Sequence, residues 1–201
     1  MTQFTYIYDT YCGWCYGASN VIGALIDSGA EVQLMHRHLF QGPNAHRMAD
    51  GFGQTALQYD RRIAGLTGME FSQRYADNVL LNAEEILDSS KTAQAAALVH
   101  DKGAKAEFAL AKALQKARYV DGKPAVDEQP VYEALKAAGV TEELSGGKAR
   151  AAEISSEAAR ILSRVGARGV PALLMHKDGQ TRVISVADYY DNPAAVTALA
   201  A

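Results

Sequence analysis

Strand-forming sequence is confined to the two ends of this chain, and that division restricts its folds more than any other feature. "FTYIYD" (Phe4–Asp9) alternates and is rich in β-formers, so it reads as a strand. Cys15, Ala18, Ile22, Leu25, Ile26 and Gly29 then recur at helical spacing, and "EVQLMHRHLF" (Glu31–Phe40) reads as a second strand. That connection is long enough for the two strands to run parallel. From about Asn44 to Arg164 the chain is Ala-rich and helical. Strand returns only in "PALLMHKDGQTRVIS", two short runs around Asp178-Gly179, which is a hairpin signal. A last helix is expected from Asp188 or just after Asn192-Pro193. The two ends must therefore build one α/β layer, with the helical block inserted between them.

Within the block, Leu110, Ala113, Leu114 and Ala117 lie on one helical face. In "DEQPVYEALKAAG", Pro130 suits a first turn and Gly139 a C-terminal cap. "QGPNAHRMADG" (Gln41–Gly51) leads into the block and reads either as the border of a binding groove or, at "NAHR" (44–47), as a simple helix start capped by Asn44.

A net charge of −3 and a pI near 5.9, with no basic run, argue against a nucleic-acid partner. No apolar run approaches the roughly 18 residues of a membrane helix, so no membrane partner is expected. The first basic residue is Arg37, so no positive leader segment is visible and a cytoplasmic location is expected. Thiols there are kept reduced, so the only two cysteines, Cys12 and Cys15, read as catalytic or metal-binding.

Those cysteines sit in "YDTYCGWCYGASN", between the first strand and the first helix. At a helix N-terminus, unpaired N–H groups and the macrodipole favour a thiolate on Cys12. Cys15, one turn later and facing inward, is spaced to attack a mixed disulfide held on Cys12. The pair by itself is a weak motif. A Cys2His2 zinc site with His36 and His38, or two inert core thiols, stays open, although both histidines read better as surface or satisfied strand residues. Asp9 reads as a solvated strand-end carboxylate and His100 as structural.

A strand followed at once by C-x-x-C and a helix resembles the thioredoxin fold, and "GARGVPALLM" places Val170-Pro171 directly before a late strand. Thioredoxin-like proteins carry a cis-proline there, which makes Pro171 the residue expected in that role. The 156 positions from Cys15 to Pro171 leave room for a helical insertion, the mark of the DsbA-like family. "EFALAKALQKARYVDGKPAVDEQPVYEALKAAGV" (Glu107–Val140) is similar to that insertion in the cytosolic, FrnE-like members. The resemblance implies a thioredoxin-like domain from 1–43 and 151–201, discontinuous around a helical domain at 44–150.

It also implies a thiol–disulfide oxidoreductase or isomerase acting on protein or small-molecule disulfides. Cys12 is then the nucleophile, Cys15 the resolving thiol, and Pro171 lies opposite them. The Val170 backbone, with Tyr11, Trp14 and Tyr16, is expected to bind substrate. No cofactor or metal is required, and electrons pass to or from a thiol reductant or oxidant that the sequence does not identify. Gly13-Trp14 departs from the Pro-His of periplasmic DsbA, so a less extreme oxidant is expected, for which reduction or isomerisation fits as well as oxidation. Two alternatives remain. One is a glutathione-dependent isomerase or transferase of the kappa or 2-hydroxychromene-2-carboxylate isomerase branch. The other is a chaperone-like peptide-binding module without redox turnover.

Overall fold

The computed structural model describes residues 1–200, and it places the strands of both chain ends in one sheet. Strand β1 (Gln3–Tyr8) is central. It pairs parallel with β2 (Glu31–His36) and antiparallel with β5 (Ala172–Lys177), and β6 (Gln180–Ile184) completes the order β2-β1-β5-β6. Between β1 and β2 run α1 (Gly13–Gly17) and α2 (Ser19–Asp27). They meet at Ala18, whose backbone is helical, so the two form one nearly continuous helix. Burial along β1 is continuous after Gln3, as expected for a strand covered on both faces.

The second strand is four residues shorter than the expected Glu31–Phe40. Arg37 N–H still bonds the Tyr8 carbonyl at 2.7 Å, but His38 N–H turns to Ser155 Oγ and Leu39 N–H to Asp9 Oδ2, both at 2.9 Å. Side chains capture those donors, and the chain leaves the sheet.

The middle of the chain carries α3 (Phe52–Thr67), α4 (Gln73–Tyr75), α5 (Ser90–Val99), α6 (Ala104–Tyr119), α7 (Gln129–Ala137) and α8 (Lys148–Arg164). Two short strands, β3 (His46–Arg47) and β4 (Ile86–Leu87), pair with each other. The expected helix start at "NAHR" is instead a tight turn at 42–44 running into β3. The block is not detached from the sheet. Ala93 and Ala97 of α5 and Ile154, Ala158 and Leu162 of α8 pack with Ile7, Met35 and Leu174. Phe108 and Ala111 of α6 join Phe4, Tyr6, Ile22 and Leu25 in the other core. The α5 contribution to that core is made by small side chains, Ala93 and Ala97. Two further cores, around Tyr75, Val79 and Tyr119 and around Leu110, Leu114 and Leu135, hold the helices to one another. The final segment, Pro193–Ala200, winds as a tight 3-10 turn series on α2 in place of a regular α-helix.

Candidate functional site: a dithiol under a helical wall

The loop after β1 is fixed before the helix starts. Cys12 N–H bonds the Asp9 carbonyl at 3.2 Å, and the Asp9 carboxylate accepts Tyr11 N–H at 2.8 Å, Leu39 N–H at 2.9 Å and Ser89 O–H at 2.6 Å. Cys12 is the residue immediately before α1, with extended backbone, and Cys15 lies in the first turn behind it. Both are free thiols. Cys12 retains 7% exposure and Cys15 only 1%, so just one sulfur is placed to meet a partner from outside. Burial, reinforced by the adjacent Cys12 thiol, pushes the pKa of Cys15 up.

Across from Cys12, the Val170-Pro171 peptide is cis, and the Val170 carbonyl oxygen stands 4.0 Å from Cys12 Sγ. A proline fits this strand entry because no N–H is needed where β5 begins. Cys12 and Val170 border one cavity of about 300 Å³, walled largely by aromatic and aliphatic side chains including Phe40, Phe52 and Tyr59.

The opposite wall comes from the helical block. Asp60 and Ile63 of α3 face Gly13, the residue between Cys12 and Trp14. A β-carbon there would stand 2.7 Å from Asp60 Oδ1 and 3.2 Å from Ile63 Cδ1. Tyr119 of α6 donates its hydroxyl to the Tyr11 carbonyl at 2.8 Å. Arg118 lies over the Tyr11 ring, 4.8 Å from its centroid, and pairs with Glu85 at 2.8 Å. Glu85 also accepts the Ala125 N–H, and both charged partners are almost wholly buried. The "YVDGK" turn secures this wall. Ser72 Oγ donates to the Val120 carbonyl, and Gly122, at φ 69°, approaches the Arg74 backbone so closely that a β-carbon would lie 2.6 Å from the Arg74 oxygen.

Tyr11, Trp14 and Val170 border the cavity together with Cys12. Trp14 is half-buried, with the Arg62 guanidinium 5.8 Å from its ring. Tyr16 does not join them. It stacks on Tyr119 at 4.6 Å, meets Phe71 edge-on, and donates its hydroxyl to the Glu70 carbonyl, so it holds α1 to the helical block. Asp9 is fully buried, against the expectation of a solvated carboxylate, because three donors converge on it. Burial raises its pKa to about 6, and the same hydrogen bonds restrain the rise.

His36 and His38 are both buried as well. Thr10 N–H donates to His36 Nε2 at 3.1 Å, and burial, with His38 alongside, pushes the His36 pKa down to about 3. That nitrogen is occupied by an internal donor, whereas His36 Nδ1 and His38 Nε2 are buried without a hydrogen-bond partner. Among the described residues, no three His, Cys, Asp or Glu side chains cluster as an ion site would require. His100 is structural, its Nδ1 2.7 Å from the buried Glu107, which also accepts the Tyr8 hydroxyl.

Sequence reasoning passed over Asp60, Glu85 and Arg118. Asp60 carried a signal: with Ala56, Ile63 and Thr67 it falls on the one face of α3 that is repeatedly shielded, an odd place for a charge. Glu85 and Arg118 are far apart in sequence and carried none.

A reduced thiol pair at a strand–helix junction, faced by the carbonyl before a cis-proline, defines a dithiol protein of thioredoxin fold. The chain belongs to the family of the DSBA-like thioredoxin domain, whose family model matches residues 5–194. It is similar to the cytosolic disulfide reductase DsbM from Pseudomonas aeruginosa, at 25% identity and a TM-score of 0.86 over 98% of this chain and 95% of that one. The structure of the same reductase with GSH matches at 25% identity and a TM-score of 0.82, over 98% and 96% of the two chains. A putative protein disulfide isomerase from Nitrosomonas europaea shares the fold at 19% identity and a TM-score of 0.73, over 92% and 89%. No curated protein sequence matches the chain. Among the described residues, no helix is long and apolar enough to cross a membrane.

Proposed function

We propose that this protein is a cytoplasmic thiol–disulfide oxidoreductase that reduces small disulfides of the size of glutathione disulfide. The observation that carries the reading is the arrangement around Cys12: one slightly exposed sulfur bordering a small open cleft, with the second sulfur buried one turn behind. A cavity near 300 Å³ is at the lower end for small-molecule sites and admits a slender ligand better than a folded protein surface. Similarity to a cytosolic disulfide reductase, one structure of which contains GSH, supports both the direction and the size of the substrate.

In this reading the Cys12 thiolate attacks one sulfur of the substrate and expels the other as a thiolate. Cys15 then attacks the Cys12 sulfur of the mixed disulfide, closing a Cys12–Cys15 disulfide and releasing the second thiol. An external thiol returns the pair to the dithiol. Tyr11 and Trp14 shape the entry, and the Val170 backbone lies where an extended γ-peptide could pair with it.

The test is to equilibrate the protein in glutathione buffers, follow Trp14 fluorescence and trap free thiols. Two interconverting forms differing by two electrons are expected, and Cys12→Ser should lower glutathione-disulfide reduction by at least about 10³-fold, down to background. Turnover unaffected by that substitution would end this reading.

A further inference from the structure

One carboxylate of the helical block, Asp60, lines the dithiol's cavity. It belongs to α3, far in sequence from the dithiol, yet its side chain is 5% exposed and borders the cavity that Cys12 opens on. Its Oδ2 accepts the Tyr75 hydroxyl at 3.0 Å, whereas Oδ1 has no hydrogen-bond partner among the described residues and is directed at Gly13, next to Cys12. Unlike the buried nitrogens of His36, His38 and Arg118, that oxygen is not shut off from its surroundings without a partner, so it stays open to the cavity that Asp60 lines.

Resting on the oxidoreductase reading above, we infer that Asp60 is the acid–base group of the exchange, carrying a proton from the Cys12 thiol to the thiolate that leaves the substrate disulfide. The bookkeeping is complete within the reaction. Asp60 carboxylate takes the Cys12 proton, and the Cys12 thiolate bonds to one substrate sulfur as the S–S bond breaks. Protonated Asp60 then neutralises the expelled thiolate. In the second step the Cys15 proton goes to the other product thiol as the Cys12–Cys15 bond forms. Two thiols of the protein are oxidised and one disulfide is reduced to two thiols, with no further reactant.

The surroundings suit this role. Cys12, in the loop before α1, lines the same cavity as Asp60; Tyr75 of α4 donates to the carboxylate, and Arg118 and Tyr119 of α6 lie near enough to interact with its charge, with Glu85 pairing Arg118 from behind. Burial raises the Asp60 pKa to about 7, while the Tyr75 hydrogen bond and the Arg118 charge hold it from rising further. A group half-protonated near neutrality both accepts and donates. Gly13 is required for the approach, since any side chain there would displace the carboxylate.

The experiment is the pH profile of glutathione-disulfide reduction, with excess dithiothreitol as reductant, for wild type, Asp60→Asn and Tyr75→Phe. Wild type should show an inflection near pH 7 in kcat/KM. Asp60→Asn should lose it, with kcat at pH 7 lower by about 10²-fold and KM within a factor of two. Tyr75→Phe removes the donor that restrains the carboxyl and should move the inflection upward, which keeps the test decisive if the asparagine variant folds poorly. Unchanged profiles in both variants, with Cys12→Ser still inactive, overturn the role of Asp60 and leave the oxidoreductase reading standing. Activity that survives Cys12→Ser overturns that reading itself.

Discussion

The Cys12 loop is gripped by two regions, each of which buries a carboxylate, and they treat it differently. On the strand side, Asp9 receives donors from Tyr11, Leu39 and Ser89, drawn from three separate segments. On the helical side, Asp60 receives one donor, from Tyr75, and keeps an oxygen toward the cavity. Burial raises the pKa of both, to about 6 and about 7. What separates a brace from a group available for chemistry is thus the number of donors it has been given, since depth is much the same. The strand side needs geometry fixed, and the helical side needs a proton able to leave.

The comparison breaks most visibly at Glu85, which supports the helical side. Glu85→Ala leaves the Arg118 cation buried without its carboxylate. Removing one member of such a pair typically costs about 3–5 kcal/mol, so chemical denaturation should show a loss of that order or a chain that does not fold. Asp60→Asn should act in the opposite sense. A carboxyl whose pKa is higher folded than unfolded binds more protons in the native state, so stability falls as pH rises from about 4 and the loss is complete above about 7. The asparagine variant should therefore match wild type near pH 4 and exceed it at pH 8, by roughly 1.4 kcal/mol for each tenfold by which folding raises the proton affinity of Asp60. Thermal melts across that range check it, and a gap that is constant with pH would contradict the assignment. The smallest effect is expected at Asp9→Asn. The amide keeps one acceptor but turns an N–H toward groups that are themselves donors. A loss of about 1–2 kcal/mol is expected by urea denaturation.

Much of this could be read from the sequence because it depends on local pattern. The alternation of Phe4–Tyr8, the helical spacing from Cys15 to Ile26 and the Asp178-Gly179 turn each specify an element with few residues, and Val170-Pro171 marks the start of β5. The departures come where side chains compete with backbone. The second strand stops at His36 because Ser155 and Asp9 take its next donors, and neither partner is near in sequence. Tyr16 packs in the helical core on Phe71 and Tyr119, and those partners too are distant in sequence. The Glu85–Arg118 pair is a product of packing between segments, and no local pattern could announce it.

The central position of β1 has a consequence for the order in which the site comes into being. The Cys12 sulfur and the Val170 carbonyl that faces it are 158 positions apart, and β1 cannot acquire its second neighbour until β5 exists. At ribosomal speeds that interval is roughly ten to thirty seconds. For that time the two thiols of a nascent chain have emerged without the partner that will shelter them. A chain carrying the dithiol of a DSBA-like thioredoxin domain thus spends part of its own synthesis with both thiols unsheltered.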